Sequence, residues 1–389
     1  MLHLVEGNER SGECHLRDDE EREERIRLSG ILGEGTDEQA HRHCGCDRAC
    51  ERGGEQRNRR RDRDAVCHEG VDDCCLEERG HRGEQEFPEV QTIYLEENMG
   101  FTGGYIMAFE KLRQMNPKHR LEYDYLVMIN SDIEVDDGWL EPLLNWMEAH
   151  PECGICGPKL HGLHRNPAPE TDKPYIRSSR FEYAGAAGGL LDAFGFPYCR
   201  GRVHHKVEED HGQYDNAHPD VLWVTGACLL IRASLWKQLG GLDDRFFAHM
   251  EEIDLCWRAQ LAGWKVNVVP QSVVWHLGGG TLPPTSPFKL KLNFRNNLLT
   301  LEKNLPGTYI TQGCSQEKAA RRAERFLRMR VFLDNCARIA YFCIGKPELA
   351  KAVRDAHMEW KELRMRSYAK PNPAEGAKVA GLTRKLIII

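Results

Sequence analysis

Carboxylates, one histidine and glycine-rich segments are the parts of this chain whose residue types and spacing could support chemistry. Asn130-Ser131-Asp132 follows directly after the apolar run 125–129. An acidic side chain at the carboxyl end of a sheet strand faces the ligand crevice of an open α/β fold. Its hard oxygen ligands suit Mg²⁺ or Mn²⁺, which would neutralise the charge on a departing diphosphate. The alternative is that Asp132 only caps a turn or a helix.

Three carboxylates within a short stretch form a second group of this kind. Glu251, Glu252 and Asp254 lie in a segment with helical spacing. Residues three apart on a helix share a face, so Glu251 and Asp254 are expected on one side and Glu252 on another. One carboxylate could then accept the proton of an attacking hydroxyl while another anchors the helix. The alternative is a solvated acidic first turn that complements the helix dipole.

One histidine, His276, ends an extended segment and is followed by the glycines 278–280. A neutral imidazole binds Mn²⁺ well enough to complete a site that Asp132 begins. The pattern therefore predicts that Asp132 and His276 bind one cation, Mg²⁺ or Mn²⁺. The alternative is that His276 is a hydrogen-bonded structural residue at a strand end.

The elements that must position these groups alternate between apolar strands and amphipathic helices from Phe87 onward. This alternation predicts an α/β fold with a mostly parallel sheet flanked by helices. The glycine-rich segment 100–104 and the stretch 161–220 are predicted as loops. The predicted strands are 90–95, 125–129, 154–160, 221–231, 266–269 and 272–275, and the predicted helices are 105–115, 139–149, 233–239, 251–262 and segments within 315–366.

Residues 1–86 have a different composition from the rest of the chain. They contain no Phe, Trp, Tyr, Pro or Lys, but 15 Arg, 24 acidic residues and 7 Cys. One interpretation is a disordered charged tail, because so few apolar residues cannot form a core. A second is a metal-binding module, against which the lack of a Cys-x2-Cys pair argues. A third is an out-of-frame translation, which we favour as the origin of this segment.

Composition and charge limit the classes of partner and location. The net charge of −7 and the pI of about 6.2 provide no basic field, so a nucleic-acid partner is not expected. The sequence shows no long apolar run and no signal-peptide pattern, which predicts a cytoplasmic protein whose 15 cysteines are free thiols. The helices within 315–366 carry Arg-rich faces. Both a solvated face and contact with the inner face of the plasma membrane are open interpretations.

The order of five motifs resembles that of inverting glycosyltransferases of the large family 2 group, which have a GT-A fold, and in particular of rhamnosyltransferase-like members. The similar segments are Asn98-Met-Gly-Phe-Thr-Gly-Gly104, Asn130-Ser-Asp132, 226–232, 240–247 together with 251–254, and His276. The resemblance implies metal-assisted transfer of a sugar, with inversion, from a nucleotide-diphosphate-sugar such as a UDP- or dTDP-sugar. The acceptor would be a hydroxyl of a glycan or lipid-linked molecule in cell-surface polysaccharide biosynthesis.

The resemblance also implies roles for particular residues. Glu252 would be the catalytic base, and Glu251 and Asp254 would bind the acceptor or orient the base. The implied donor-binding residues are Asn98, Gly100, Gly103, Gly104, Asn130, Ser131 and Asp132, the implied metal ligands are Asp132 and His276, and the implied acceptor-side residues are Trp223, Gly226, Arg258 and Arg295.

Two departures from the family pattern keep other interpretations open. Glu252 stands where the family usually has Asp, which keeps the carboxylate on a longer arm. The family's first strands, which hold the nucleotide base, are not found before Phe87. One alternative is therefore a catalytically inactive binding protein, and another is a metal-dependent phosphohydrolase. The predicted domains are the charged segment 1–86, a GT-A-like core 87–305 lacking its usual first strands, and a helical extension 306–389.

Overall fold

The computed structural model describes residues 3–4, 90, 92–95, 97–115, 123–167, 174–203, 206–278, 286–366 and 371–383. The predictions for 1–86 therefore lie outside the described residues, except at strand β1 (His3–Leu4). The chain divides into two units. The first comprises Met1–Met99 and Met107–Pro117, and the second comprises Gly100–Ile106 and Lys118–Ile389.

In the first unit, β1 pairs in parallel with β2 (Thr92–Ile93). The predicted strand 90–95 is thus only two residues long. Helix α1 (Gly100–Met115) begins five residues before the predicted start, so the glycine-rich segment forms its first turn instead of a loop. Gly100 has a φ of 66°, a left-handed conformation that glycine adopts without steric cost and that lets the chain turn into the helix.

The second unit contains a six-stranded sheet and six further helices in its described part. The sheet strands are β3 (Tyr125–Ile129), β4 (Ile133–Val135), β5 (Cys153–Arg165), β6 (Tyr175–Phe181), β11 (Cys228–Arg232) and β12 (Lys265–His276). The short strands between them are β7 (Gly189–Leu191), β8 (Pro197–Cys199), β9 (Arg202–Val203) and β10 (Lys206–Val207). The helices are α2 (Glu141–Ala149), α3 (Ala233–Leu239), α4 (Glu251–Leu261), α5 (Pro287–Thr311), α6 (Gln316–Cys343) and α7 (Pro347–Leu363).

The sheet order is β3-β11-β5-β12-β4, and β6 pairs with β5. Among the described strands of this sheet, β5 and β12 are parallel and the other four pairs are antiparallel. The prediction of a mostly parallel sheet is therefore wrong for this part of the chain. The helices connect strands that do not pair, as α2 does between β4 and β5. A helix between two consecutive strands of the sequence therefore does not determine whether strands that are neighbours in the sheet run parallel or antiparallel.

Three further predictions differ from the structure. The segments 266–269 and 272–275 form the single strand β12, with a register shift around Pro270, which cannot donate a ladder hydrogen bond. The stretch 161–220 holds the end of β5 and the strands β6 to β10, which are too short to give a periodic signal. Of 221–231, only the second half is regular strand, because Val221 and Leu222 bond to two different partners, Val266 and Gly189.

A hydrophobic core cluster lies between α2 and the sheet, with Leu143 and Met147 of α2 fully buried, and a second buried region lies where α4 packs against α5. Almost every residue of α4 is buried, and its Trp257 indole donates to the Thr308 hydroxyl in α5 at 2.8 Å. The predicted boundary at 305/306 falls inside α5, which continues through Pro306. The helices α6 and α7 confirm the amphipathic helices predicted within 315–366, and the eight described cysteines are free thiols, as predicted. No helix among the described residues has the length and apolarity needed to cross a membrane.

Candidate active site

Strand pairing brings Asp132 and His276 together at one edge of the sheet. Asp132 immediately precedes β4, His276 ends β12, and these antiparallel strands place His276 opposite Ile133. The Leu277 amide donates to the Asp132 carbonyl at 3.1 Å. The Asp132 Oδ1 and His276 Nε2 atoms lie 3.2 Å apart. The two predicted metal ligands are therefore neighbours, although they are far apart in the chain.

His276 lies between two carboxylates. Its Nδ1 atom is 3.9 Å from Oε1 of Glu182, near the end of β6. Burial alone would lower the pKa of His276, but the hydrogen bond and charge of Asp132 outweigh burial and raise it. Burial alone would raise the pKa of Asp132, but His276 and the Asn130 side chain bring it below its ordinary value. Burial raises the pKa of Glu182.

This pair fits part of a divalent cation site. No group of three or more His, Cys, Asp or Glu side chains converges as a complete metal site in the part of the chain that the structure describes. The separation of Asp132 Oδ1 and His276 Nε2 is that of adjacent ligands on a six-coordinate ion, which stand about 3 Å apart for bonds of about 2.1 Å. His276 Nδ1 is buried without a hydrogen-bond partner. The two side chains can thus supply two ligands and leave the other positions to a bound molecule.

A strained backbone segment precedes α4 and sets the direction of its first carboxylates. His249 and Met250 have φ values of 70° and 72°, which cost non-glycine residues about 1–3 kcal/mol each. Asn296 of α5, which is fully buried, donates from Nδ2 to the carbonyls of Ala248 at 2.8 Å and His249 at 2.7 Å. These two hydrogen bonds hold the segment in the conformation from which α4 starts.

Glu251 and Glu252 begin α4 with unusual proton affinities. Burial raises the pKa of Glu252 to about 7, although backbone amides at the helix start oppose this shift. Burial and the neighbouring Glu252 charge raise the pKa of Glu251 well above its ordinary value. The Oε2 atoms of both residues are buried without a hydrogen-bond partner. Glu252 can therefore exchange a proton near neutral pH, as a general base must.

Predicted donor and acceptor segments surround Glu252. A Cβ atom added at Gly226 would lie 3.4 Å from both Glu252 Cβ and Phe101 Cζ, so Gly226 separates α1 from Glu252. The first turn of α1 also packs closely on the segment before α4. A Cβ atom at Gly100 would lie 2.6 Å from the Phe247 carbonyl oxygen, and the Thr102 amide donates a hydrogen bond to the same oxygen at 3.2 Å.

Four further predicted donor-binding residues belong to the second unit. Gly103 and Gly104 follow in α1, and Asn130 and Ser131 connect β3 to Asp132. Asn98 is exposed in the first unit.

Asp254 faces the interior and has no access to a substrate. It is 0% exposed and bonds to Nε of Arg258 at 2.7 Å, Nζ of Lys303 at 3.0 Å and Nδ2 of Asn304 at 2.8 Å. Arg258 also donates to the carbonyls of Leu239 and Gly241. These contacts join α4 to α5. They give Asp254 and Arg258 structural roles, while the predicted roles of Asp254 in orienting the base and of Arg258 on the acceptor side stay predictions.

We expect Asp254→Asn to destabilise the fold by about 3–5 kcal/mol, because the substitution leaves the buried charge of Arg258 without its carboxylate and removes one of the two carboxylates, Asp254 and Asp243, that Lys303 contacts. Urea unfolding would measure this loss. The same substitution at exposed Asp244 is the matched control and should change the free energy of unfolding by less than about 0.5 kcal/mol. Equal stability of the two variants would contradict the structural role.

Two other predicted acceptor-side residues are also buried. The Trp223 indole donates to the Leu190 carbonyl at 3.2 Å and packs on Gly189. Arg295 donates from Nη1 to Glu359 of α7 at 3.0 Å. Their size and polarity suggested contact with an acceptor, but internal partners occupy these side chains. The acceptor-side roles of Trp223 and Arg295 stay predictions.

Three residues near the site were not predicted as functional. Glu182 lies beside His276, and the charge of Lys289 is close enough to help lower the pKa of His249 and to oppose the rise in the pKa of His276. Burial, with a smaller contribution from Lys289, lowers the pKa of His249 to about 4. Neither Glu182 nor Lys289 belongs to a motif. The sequence feature that could have indicated Lys289 is its position, as a basic residue in the first turn of the helix that follows glycines 278–280.

The site combines the neighbouring side chains of Asp132 and His276, a titratable glutamate and a half-buried lysine, groups that metal-assisted catalysis can use. Residues 74–298, more than half of the chain, match the family described as Glycosyltransferase like family 2. The chain belongs to this family. Its membership confirms the predicted family and the GT-A-like fold class.

Similar curated proteins are also glycosyltransferases. The chain is 27% identical over 194 residues to the N-acetylglucosaminyl-diphospho-decaprenol L-rhamnosyltransferase of Mycobacterium tuberculosis, covering 49% of this chain and 60% of the relative. It is 26% identical over 206 residues to the low-salt glycan biosynthesis hexosyltransferase Agl10 of Haloferax volcanii, covering 52% and 57%. The chain thus spans less than two thirds of either relative's length.

Among solved structures, GalNAc-T7 with UDP, GalNAc and Mn²⁺ is similar over 65% of this chain and 45% of that chain. The identity is 15% and the TM-score is 0.40. A similarity at this level supports no statement about ligands.

Proposed function

We propose that this chain transfers a sugar, with inversion, from a UDP- or dTDP-sugar to a hydroxyl of a glycan or lipid-linked acceptor. A rhamnosyl or other hexosyl donor is the class that we favour, because the similar proteins are named for such transfers. The observation that supports the proposal is the distance of 3.2 Å between Asp132 Oδ1 and His276 Nε2, which results from the pairing of β4 with β12. We assign the cytoplasm, at the inner face of the plasma membrane, as the location.

Glu252 would act on the acceptor. Its carboxylate takes the proton of the acceptor hydroxyl while that oxygen forms a bond to the anomeric carbon of the donor. The bond from the anomeric carbon to the diphosphate oxygen breaks in the same step, and its electron pair leaves with the nucleoside diphosphate. Attack from the side opposite the leaving group inverts the anomeric configuration.

Other side chains would bind the donor and keep Glu252 in place. Asp132 and His276 would hold Mg²⁺ or Mn²⁺, and the bound cation would neutralise the charge on the leaving diphosphate. The ammonium group of Lys289 lies near the same residues and adds positive charge. Asn296 holds the strained segment before α4 and so positions Glu252, because it bonds to the carbonyls of Ala248 and His249.

The rate should depend on pH through Glu252. The pKa of about 7 means that this carboxyl is protonated, and cannot accept a proton, in most molecules below pH 7. We expect kcat/KM to fall about tenfold per pH unit below the pKa and to reach a plateau above it. Initial rates across this range would measure the profile. A flat profile from mildly acidic to mildly basic pH, with donor binding unchanged, would contradict the assignment of Glu252.

A catalytically inactive binding protein is the second candidate function. The observation in its favour is that β3 is an edge strand of the sheet in the described part of the chain, with its side chains mostly half-buried. A strand edge next to Asp132 that no other described strand covers would leave the donor pocket incomplete. Calorimetric measurement of nucleoside diphosphate binding in the presence of Mn²⁺ distinguishes the two candidate functions.

A further inference from the structure

The outward face of α6 exposes large apolar side chains near its end. Phe332, Ile339 and Phe342 are 67%, 58% and 70% exposed, and Ile344, directly after the helix, is 64% exposed. Single exposed apolar residues are ordinary on protein surfaces, but a contiguous group usually marks an interaction site. The opposite face of α6 is packed, since Ala319, Ala323, Leu327, Arg330 and Asp334 are buried.

A row of basic residues precedes these apolar residues on the same face. Lys318, Arg321, Arg325 and Arg328 are exposed, and Phe332 follows Arg328 by four positions. Residues separated by three, four or seven positions lie on one side of a helix. The basic and apolar rows therefore form one continuous surface, the α6 stripe, defined as Lys318, Arg321, Arg325, Arg328, Phe332, Ile339, Phe342 and Ile344.

The α6 stripe carries a net positive charge. Glu317 pairs with Arg321, and Glu324 lies 3.6 Å from Arg328, so the four basic residues exceed the nearby acidic ones. A positive and apolar stripe matches a partner that is negatively charged at its surface and apolar beneath it.

We propose that the α6 stripe docks on an anionic lipid surface. The Arg and Lys groups would contact lipid phosphates, while the Phe and Ile side chains enter the boundary of the acyl chains. A second copy of the chain fits less well. Parallel helices would set Arg beside Arg, and antiparallel helices would cover the apolar row with charged groups. The docking proposal deepens the membrane location proposed above, but docking itself requires neither donor nor acceptor.

Vesicle flotation of the full chain tests this proposal. We expect binding to vesicles of phosphatidylcholine mixed with phosphatidylglycerol, weak binding to phosphatidylcholine alone, and loss of binding at high salt. Phe332→Ser combined with Phe342→Ser should reduce the bound fraction at least about tenfold, because both large apolar side chains that would enter the lipid are removed. Arg321→Glu combined with Arg325→Glu should reduce binding to a similar extent.

Matched substitutions outside the stripe control for exposure and charge. Ile176→Ser on β6 and Lys351→Glu on α7 change exposed residues and should leave vesicle binding unchanged. The proposal is overturned if the parent chain ignores anionic vesicles, or if the stripe variants bind as well as the controls. It is also overturned if light scattering shows a dimer that the Phe substitutions dissociate while vesicle binding stays absent. Measuring nucleotide binding on the same variants separates failure of docking from failure of the proposed function.

Discussion

Glu252→Gln is expected to lower kcat by about 10²–10⁴-fold while leaving the affinity for the donor nearly unchanged. The amide has almost the same shape as the carboxyl group but cannot accept the acceptor proton. The backbone segment before α4 should be unaffected, because Asn296 holds it through the carbonyls of Ala248 and His249. Initial rates at saturating donor and acceptor would measure kcat.

The neighbouring glutamate provides the control for this substitution. Burial and the charge of Glu252 raise the pKa of Glu251 well above its ordinary value, so Glu251 gives up its proton less readily than an ordinary glutamate. Glu251→Gln removes a neighbouring carboxyl group of the same size but leaves the assigned base in place, and should change kcat far less than Glu252→Gln does. Near-normal turnover of Glu252→Gln, or equal losses for the two variants, would remove Glu252 as the base.

Asp132→Asn is expected to abolish the dependence of donor binding and transfer on a divalent cation. The substitution removes the negative charge that would hold the ion and weakens the contact with His276 at 3.2 Å. A cation that stabilises the transition state by several kcal/mol accounts for at least about 10²-fold in rate, so kcat/KM should fall by that factor or more.

A measurement independent of activity tests the same pair. Mn²⁺ together with a nucleoside diphosphate should raise the unfolding temperature of the parent chain but not that of Asp132→Asn. Asp137→Asn, an identical change at an exposed position five residues away, should behave like the parent. Identical thermal protection of Asp132→Asn and the parent would place the cation elsewhere.

The sequence alone was sufficient where local pattern decides the structure. The apolar run before Asp132, the glycine after α3 and the helical spacing from Glu251 onward place the main elements, and the family is confirmed. The ends of β4 and β12 also bring Asp132 and His276 together, as predicted. These features depend on residues close in the chain, or on strand ends that meet at one sheet edge.

Features that depend on distant contacts were not predictable. Spacing placed Asp254 beside Glu251, but only Lys303 and Asn304 of α5 show that Asp254 faces the core. Glu182 and Lys289 belong to no recognised motif and reach the site through tertiary packing. The directions of the sheet strands likewise follow from which strands become neighbours. The division into the domains 1–86, 87–305 and 306–389 stays a prediction.

Calorimetric titration of the full chain with UDP, dTDP and GDP, in the presence of Mn²⁺ and again with a chelator, measures whether Asp132 and His276 form a cation-dependent site for a nucleoside diphosphate. We expect at least one nucleotide to bind when Mn²⁺ is present and to lose its binding with the chelator. Binding of none of the three, or binding that is equal with the chelator, would contradict this role of Asp132 and His276 and favour the inactive binding protein.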